Sequence, residues 1–428
     1  MKILIKYILL FLFFQKCFSI IIFPFKREMK SNNLTELNLL NNLLENILIT
    51  NITLGTPKQI IPLQIKLRRY PLSITCYEKN INNCNNNNSS SYYSLIEEEQ
   101  YNNEDFTFGI ESLETFIINN EKIEKIKFFI ATKMINNISG ILGLNIFGGS
   151  KYTEGSNLII QLKKRNIINS YEFFIDYINE NDGNLIIGDY PHNYYNNTKY
   201  KSENFKIIKP YFKETNKIYP KIPKDLIQQN FDLLLNNVIY GNNNIEELII
   251  GKLSIESGLI RSTTFFGKKI KEIFFDKYLK NGMCEINYIK TKYAQFISFV
   301  CNEKVDIKKF ENIKFKLDDM ITEFILTYED LFYKFNKKYF FLIYYKDDYG
   351  DFWELGKPFM KKYMFFFNQD KKIIGYYIYN SNNFYLLPWF LIFFFFFIII
   401  FMGIILSKLI IHKKKFKAKE LEENLFYL

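Results

Sequence analysis

Histidine is scarce in this chain of 428 residues, which contains only His192 and His412. A metal site built from several imidazole ligands is therefore excluded. A Ser-His-Asp or Cys-His centre would need His192, because His412 follows the hydrophobic segment described below. The stretch around His192, PHNYYNNT, is typical of a loop, so we interpret His192 as a solvated loop residue. We predict neither a metal nor a cofactor.

The net positive charge of the body is also small once the charges of the two terminal segments are subtracted. The formal net charge is +11, of which Lys2, Lys6 and Lys16 contribute +3. The tail from Lys408 has six Lys and three Glu and contributes another +3, which leaves +5 for the body. That balance is too low for a nucleic-acid-binding surface, and no nucleic-acid motif accompanies it. We expect no nucleic-acid partner.

Two long apolar runs stand at the ends of the chain. Residues 1–19 combine lysines, an apolar core and small residues at positions 17 and 19, a pattern typical of a cleaved signal peptide. Residues 384–407 carry no charge and are long enough to cross a bilayer as a helix. The alternative for this second run is a buried core helix. Because lysines crowd residues 408–428 directly after it, we predict one transmembrane helix, a luminal or extracellular body and a short cytosolic tail.

Asn-x-Ser/Thr sequences occur only on the side of the chain assigned to the secretory lumen. We expect glycosylation at some of them, although an asparagine-rich chain also produces this pattern by chance. The candidates are Asn33, Asn51, Asn87, Asn88 and Asn196. Asn137 also matches, but it adjoins an apolar run that should be core.

The most informative stretch is residues 54–76, LGTPKQIIPLQIKLRRYPLSITC. Gly55 and Pro57 indicate a turn, and apolar residues then alternate with polar ones up to Leu67, as in a strand with one buried face. Four more strings of the same kind follow along the chain. They are SGILGL (139–144), GNLIIGDY (183–190), ESG (256–258) and the closing run from LGKPF (355–359) to IIGYY (373–377). In this order the strings resemble the pepsin-like aspartic proteases over residues 47–377.

The resemblance implies a mostly β, bilobal fold, with a single C-terminal transmembrane helix added. We predict a signal peptide at 1–19, a propeptide-like or linker segment at 20–46, an N-terminal lobe at 47–202 and a C-terminal lobe at 203–380. The transmembrane helix at 384–407 and the basic tail at 408–428 follow. The leucines of residues 34–44 indicate a short amphipathic helix within the segment whose role stays open.

The resemblance also locates the two positions at which the family carries its catalytic aspartates. Lys66 stands at the first, followed by Leu67 and Arg68 in place of Thr and Gly. Glu256 stands at the second, with Ser257 and Gly258 completing the motif. Two carboxylates that share a proton activate water in this family, whereas a lysine and a glutamate in contact would both stay charged. We therefore predict an ion pair between Lys66 and Glu256 and no hydrolysis of peptides.

Residues 106–116, FTFGIESLETF, are interpreted as a hairpin where the family has its flap. Phe108 precedes Gly109 there, so the tyrosine hydroxyl of the family's flap is absent. The alternative is that Phe108 is an ordinary hairpin aromatic. Asp182 with Gly183 indicates a hairpin turn rather than a catalytic Asp-Gly.

The resemblance further implies two small disulfide loops, Cys76 with Cys84 and Cys284 with Cys301, since Cys17 leaves with the signal peptide. Four cysteines allow three pairings, and closeness in sequence favours this one. Three functions remain open. The first is a catalytically impaired, membrane-anchored homologue that binds a peptide or protein in the cleft. The others are an active aspartic endopeptidase of the secretory pathway and a structural surface glycoprotein.

Overall fold

Alternation of apolar and polar residues builds a molecule made mostly of strands. The computed structural model describes residues 20–29, 34–67, 71–75, 90, 93–94, 99–100, 106–118, 121–134, 140–146, 157–195, 200–210, 231–291, 294–317, 323–347, 352–378 and 386–425. They divide into two units, one ending at Ile378 and one beginning at Tyr379. The first holds every strand described.

Among the residues that the structure describes, the first half of the body contributes twelve strands. They are β1 (Ile21–Glu28), β2 (Ile47–Leu54), β3 (Gln59–Lys66), β4 (Ser73–Thr75), β5 (Tyr93–Ser94), β6 (Glu99–Gln100), β7 (Phe106–Ile118), β8 (Glu121–Met134), β9 (Gly140–Gly143), β10 (Glu172–Tyr177), β11 (Asp182–Ile187) and β12 (Phe205–Ile208).

The second half contributes thirteen more. They are β13 (Asp232–Tyr240), β14 (Asn243–Leu253), β15 (Ile260–Arg261), β16 (Cys284–Lys290), β17 (Gln295–Asn302), β18 (Ile313–Leu317), β19 (Phe324–Leu326), β20 (Phe332–Phe335), β21 (Lys338–Phe341), β22 (Ile343–Tyr344), β23 (Phe352–Leu355), β24 (Phe366–Asn368) and β25 (Ile373–Tyr377).

Helices are few and mostly short. They are α1 (Leu39–Leu44), α2 (Leu158–Lys164), α3 (Pro191–Tyr194), α4 (Thr264–Ile270), α5 (Asp276–Lys280), α6 (Tyr328–Leu331), α7 (Lys357–Tyr363) and α8 (Leu386–Leu425). Side chains of Asn157 and Thr263 accept hydrogen bonds from the backbone of α2 and α4. These caps satisfy amide groups that the first turn of a helix leaves without partners.

Three sheets arise from these strands. The largest has the order β12-β25-β24-β10-β11-β1-β2-β3-β9-β4-β8-β7-β5, with β6 paired to β7. A second has the order β19-β18-β13-β14-β23-β15-β22, and the third is β16-β17-β21-β20. Since β24 and β25 come from the end of the body and β1 from its beginning, the large sheet joins the two halves of the chain.

The same unusual strand arrangement occurs once in each half. In the first, β9 lies between β3, to which it is parallel, and β4, to which it is antiparallel. In the second, β23 lies in the same way between β14 and β15. In each case the inserted strand comes from later in the chain than the two strands that it separates. These paired ψ motifs and the large joining sheet form a mostly β, bilobal, pepsin-like fold.

Aromatic residues supply much of the core. Phe275 stacks on Phe299 at 4.0 Å between ring centroids, and Phe173 stacks on Phe367 at 4.8 Å. The second contact pairs β10 with β24, strands from the two different halves of the body. Core packing of this kind therefore reinforces the sheet that joins the two halves.

The segment at 20–46 contributes to both halves of the body. Its first part is β1, which pairs with β11 on one side and β2 on the other. The predicted amphipathic helix is present as α1, and its leucines are buried in a small cluster with residues of the second half. That cluster is Leu39, Leu40, Leu43, Leu259, Ile289, Val300, Phe340 and Tyr344.

Among the described residues, one helix is long and apolar enough to span a membrane, with residues Phe394–Lys413 at a mean hydropathy of 2.8. It belongs to α8, which extends beyond the predicted span at 384–407 into the basic tail. Residues 1–19 lie outside the described part of the chain.

Two local predictions need correction. Residues 106–116 are not a hairpin but part of the single long strand β7, whose partner β8 follows after residues 119–120. The turn signal is Asn119 with Asn120, which lies after the stretch taken for the hairpin. The Asp182 hairpin is present, but Asp182 is the first residue of β11 and the turn precedes it.

Candidate functional site

Lys66 is the last residue of β3, where an alternating strand leads into the first loop. Ile65 and Leu63, its neighbours on the strand, are fully buried, and the lysine itself is 6% exposed. The backbone carbonyl of Lys66 accepts a hydrogen bond from Leu144 N–H at 2.9 Å, just after β9. The strand therefore holds a buried lysine where the first loop begins.

The described residues on either side of residues 68–70 belong to the apolar core. Leu67 is 7% exposed and belongs to the main hydrophobic cluster. Arg68 lies outside the described residues. At the other end of β3, Gly55 adopts a φ of +82°, a left-handed conformation that glycine reaches at little cost and that the turn requires.

The second loop, residues 254–259, is held by its own serines. Ser257 N–H donates to the Ser254 hydroxyl oxygen at 3.2 Å, and the Ser257 hydroxyl donates to the Leu259 carbonyl at 2.8 Å. Ser257 is buried, whereas Glu256 is half-buried. These bonds give the loop a defined shape.

Residues 43–46 pack directly on this second loop. Asn46 N–H donates to the Glu256 carbonyl at 2.7 Å, and Asn46 Nδ2 donates to the Ile255 carbonyl at 2.7 Å. Gly258 N–H donates to the Leu44 carbonyl at 2.9 Å. Asn46 is almost fully buried, so these bonds are shielded from water. Sequence reasoning missed Asn46, because the loop residues to which it bonds lie more than 200 residues away.

The packing of residues 43–46 on the second loop explains why position 258 is a glycine. A Cβ atom at Gly258 would lie 1.9 Å from the Leu43 carbonyl oxygen and 3.0 Å from Arg27 Nη2. No side chain fits there unless the backbone moves. The glycine of ESG is thus required by the approach of residues 43–44.

A cluster of three cations around one carboxylate lies behind the same loop. Lys357, the first residue of α7, donates its backbone N–H to the Ser257 carbonyl at 2.8 Å, and its buried ammonium group lies 2.9 Å from Glu180 Oε2. Lys361 also pairs with Glu180. The guanidinium group of Arg27 donates to the Leu43 carbonyl at 3.4 Å and lies close enough to Glu180 to interact electrostatically. The cluster joins β1, the β10–β11 turn and α7.

Burial controls the protonation of this cluster. Desolvation, aided by the Arg27 charge, lowers the pKa of Lys357 to about 8, against the attraction of Glu180. Burial alone would raise the pKa of Glu180, but hydrogen bonds and charges from Lys361 and Lys357 lower it to about 2. Glu180 is therefore ionised wherever Lys357 is protonated, down to strongly acidic pH.

Other buried carboxyl groups lie on strands outside both loops. Burial raises the pKa of Asp232, the first residue of β13, to about 7, and the Lys252 charge opposes that rise. Asp232 Oδ2 has no hydrogen-bond partner among the described residues. Burial also raises the pKa of Glu246, which accepts from Trp353 Nε1 at 2.8 Å. Within the described residues, no group of three or more His, Cys, Asp or Glu side chains could hold a metal ion.

The flap residues lie on β7. Phe108 pairs with Gln100 and Gly109 with Glu99, and residues 101–105 between β6 and β7 lie outside the described part. The strand register shifts on both sides of Phe108. The flap role of Phe108 and Gly109 stays a prediction.

The cysteine and asparagine predictions fall partly within the described residues. Cys284 and Cys301 are joined by a disulfide, as predicted, and face each other across β16 and β17. Cys76 and Cys84 lie outside the described residues, as do Asn33, Asn87, Asn88, Asn137 and Asn196. Asn51 is exposed on β2, as an acceptor of a glycan must be.

His192 is not a solvated loop residue. It lies in α3 with its ring stacked on Tyr190, and its Nδ1 lies 2.8 Å from the Tyr377 hydroxyl. Burial lowers the pKa of His192, against the charge of Asp189. It belongs to an aromatic cluster packed on the large sheet, and Tyr377, its partner, is 185 residues away.

Comparisons with known proteins agree with this architecture. No protein-family model matches the chain, and no curated protein matches it. Among solved structures, it is similar to the crystal structure of basic 7S globulin from soybean, with a TM-score of 0.56, 10% sequence identity, and coverage of 85% of this chain and 98% of that one. At this identity the similarity shows the fold alone, and that fold is the pepsin-like one.

Proposed function

We propose that this chain is a non-catalytic, membrane-anchored homologue of the pepsin-like endopeptidases that binds an extended peptide or protein segment between its lobes. One observation carries the proposal. The two loops beside the inserted strands, residues 66–72 and 254–260, together contain a single carboxyl group, that of Glu256. A reaction that needs two carboxylates sharing one proton lacks its second carboxylate in these two loops, whichever of their residues face each other.

The first loop begins instead with a lysine. A protonated lysine beside a carboxylate favours the charged form of both groups, so neither would serve as the acid or base of a shared-proton pair. The ion pair between Lys66 and Glu256 is part of this proposal. Loss of either partner from a buried pair would leave an uncompensated charge.

The proposal also includes the setting of the protein. Helix α8 would anchor the chain in a membrane, the signal peptide at 1–19 would direct the body to the luminal or extracellular side, and the asparagines named above would carry glycans. Lysines after the apolar run support this orientation. The disulfide between Cys284 and Cys301 is consistent with an oxidising compartment.

A binding experiment tests the proposal. The full-length chain in detergent micelles is immobilised and exposed to a randomised decapeptide mixture, and retained peptides are measured by mass spectrometry. We expect retention above that of an empty support, and a fall of about tenfold, which corresponds to about 1.4 kcal/mol, for Lys66→Ala. Lys122→Ala removes an exposed lysine of β8 and is the matched control.

The three functions give different results in this experiment. Retention without cleavage supports the proposal. No retention by the unmodified chain would favour the structural glycoprotein. Cleavage of the mixture, abolished by Glu256→Gln, would favour an active endopeptidase.

A further inference from the structure

We infer that the residue of the second half which corresponds to Lys66 is Ser254, two positions before Glu256, and that the centre of the site is a lysine–serine pair. The inference rests on the strand register of the two ψ motifs. It also deepens the proposed function, because it identifies the groups that would meet a bound peptide.

The inserted strands provide the first measure of correspondence. Lys66 on β3 is paired with Gly143 at the end of β9. On the other side, Leu253 at the end of β14 is paired with Leu355 at the end of β23. Leu355 is followed by Gly356, just as Leu142 is followed by Gly143. If the parallel pairing is continued by one residue, the partner of Gly356 is the residue that follows Leu253. That residue is Ser254.

The returning strands give an independent measure. Ser73 on β4 pairs with Ile141, two residues before Gly143, and Arg261 on β15 pairs with Glu354, two residues before Gly356. Ser73 and Arg261 are therefore equivalent. Ser73 lies seven residues after Lys66, and Arg261 lies seven residues after Ser254. Both pairings give the same equivalence without any gap.

Residues 256–258 then have a different role from the one their sequence indicated. The carbonyl of Glu256 and the N–H of Gly258 are bonded to Asn46 and Leu44, and Glu45 forms an isolated bridge with Ser257. The ESG string is thus the surface on which residues 43–46 pack. The close approach of Leu43, described above, accounts for its glycine without any catalytic motif.

The inference defines the chemistry of the centre. The Ser254 oxygen accepts from Ser257 N–H at 3.2 Å, and a serine hydroxyl that accepts a hydrogen bond still carries one donor. An ammonium group has only donors. Lys66 and Ser254 would therefore offer donors to a ligand, and the matching group on a bound peptide is an oxygen acceptor such as a main-chain carbonyl. The longer Glu256 side chain, two residues further along, remains compatible with the ion pair.

Cross-linking of backbone positions tests the inference without a ligand. Two variants of the full-length chain are compared, Lys66→Cys with Ser254→Cys and Lys66→Cys with Glu256→Cys, each treated with oxidant or a short bifunctional thiol reagent. Direct disulfides need Cα atoms about 4.4–6.8 Å apart. We expect the first pair to cross-link at least about tenfold faster than the second. Ile117→Cys with Lys122→Cys, neighbours across β7 and β8, is the positive control.

Faster reaction of the pair at 66 and 256 would overturn the inference. So would failure of both test pairs when the control reacts and the native Cys284–Cys301 disulfide shows that the variants fold. Misfolded variants leave a second route, the crystal structure of the unmodified chain. A Cα distance from Lys66 that is shorter to Ser254 than to Glu256 supports the inference, and the reverse order rejects it.

A functional arm separates this inference from the proposed function. In the decapeptide experiment, Ser254→Ala is expected to lower retention severalfold, whereas Ser262→Ala, a buried serine of the same half, leaves it unchanged. If the unmodified chain retains no peptide, the proposed function fails, but the cross-linking result still decides which residue is equivalent to Lys66. Equal retention by Ser254→Ala and the unmodified chain would reject the role of Ser254 in binding.

Discussion

The two sets of strands that flank the loops share one pairing pattern, and the described residues of the two loops have different surroundings. The loop after β3 follows a buried lysine and leads into core leucines, whereas the loop after β14 is covered by residues 43–46 and supported by Lys357. The strand register is the same in the two ψ motifs, although different residues pack on their loops. We infer that the fold depends on the paired strands and not on the residues at the loop centres.

The largest expected effect tests whether the two motifs contribute equally to stability. Leu142 in β9 and Leu355 in β23 are both fully buried at equivalent positions of the inserted strands. Leu142→Ala and Leu355→Ala should each lower the free energy of unfolding by about 2–5 kcal/mol, because each leaves a cavity. Chemical denaturation measures both. A loss below about 1 kcal/mol for one of them would show that the motifs are not equivalent.

The second prediction addresses the covering of the second loop. Gly258→Ala should destabilise the fold by about 1–3 kcal/mol, since the new Cβ would overlap the Leu43 carbonyl and force the backbone apart. Gly282→Ala is the control for a change of glycine alone, because no atom lies within 4 Å of its Cβ position. Its own cost comes from a positive φ, about 1 kcal/mol. An equal or smaller cost at Gly258 would contradict the close contact.

The third prediction concerns the hydrogen bonds of the same contact. Asn46→Ala should cost about 1–3 kcal/mol, because the buried Ile255 carbonyl would lose its side-chain donor. Asn243→Ala, at an exposed position of β14, is the matched control and should change stability by less than about 0.5 kcal/mol. Thermal or chemical denaturation of both variants gives the comparison. Equal losses would show that Asn46 does not hold the loop.

The last prediction before the activity measurement is the pH dependence of the cationic cluster. The pKa of Lys357 falls from 10.5 to about 8 on folding, so the unfolded chain binds more protons between these values and stability rises with pH there. The rise should be about 1–3 kcal/mol. It should be absent in Lys357→Met and present in Lys362→Met, which removes a half-buried lysine of the same helix. A flat profile in the unmodified chain would show that Lys357 is not desolvated.

Much of the fold could be predicted because its signals are local. GTPKQ followed by alternating residues predicted β3, and the short separation of Cys284 and Cys301 supported their pairing. These patterns depend on neighbours in sequence, which determine turns and strand faces. The helix at residues 39–44 was predicted for the same reason.

The unpredicted features depend on contacts between distant residues. Nothing near Asn46, Arg27 or Lys357 indicates that they meet around the second loop. His192 was assigned to solvent because its neighbours are polar, whereas Tyr377 makes it part of an aromatic cluster. The position of Glu256 was counted from a motif string, and only the pairing of β14 with β23 reveals Ser254 as the alternative.

The most direct test of the account is a measurement of peptide hydrolysis by the full-length chain. The chain in detergent micelles is incubated with a randomised decapeptide mixture from pH 3 to pH 7, and new termini are counted by mass spectrometry. The account predicts no cleavage above that of a boiled sample at any pH, because the two loops contain one carboxyl group and a lysine. Cleavage that disappears in Glu256→Gln and persists in Glu247→Gln, an exposed position of β14, would contradict it.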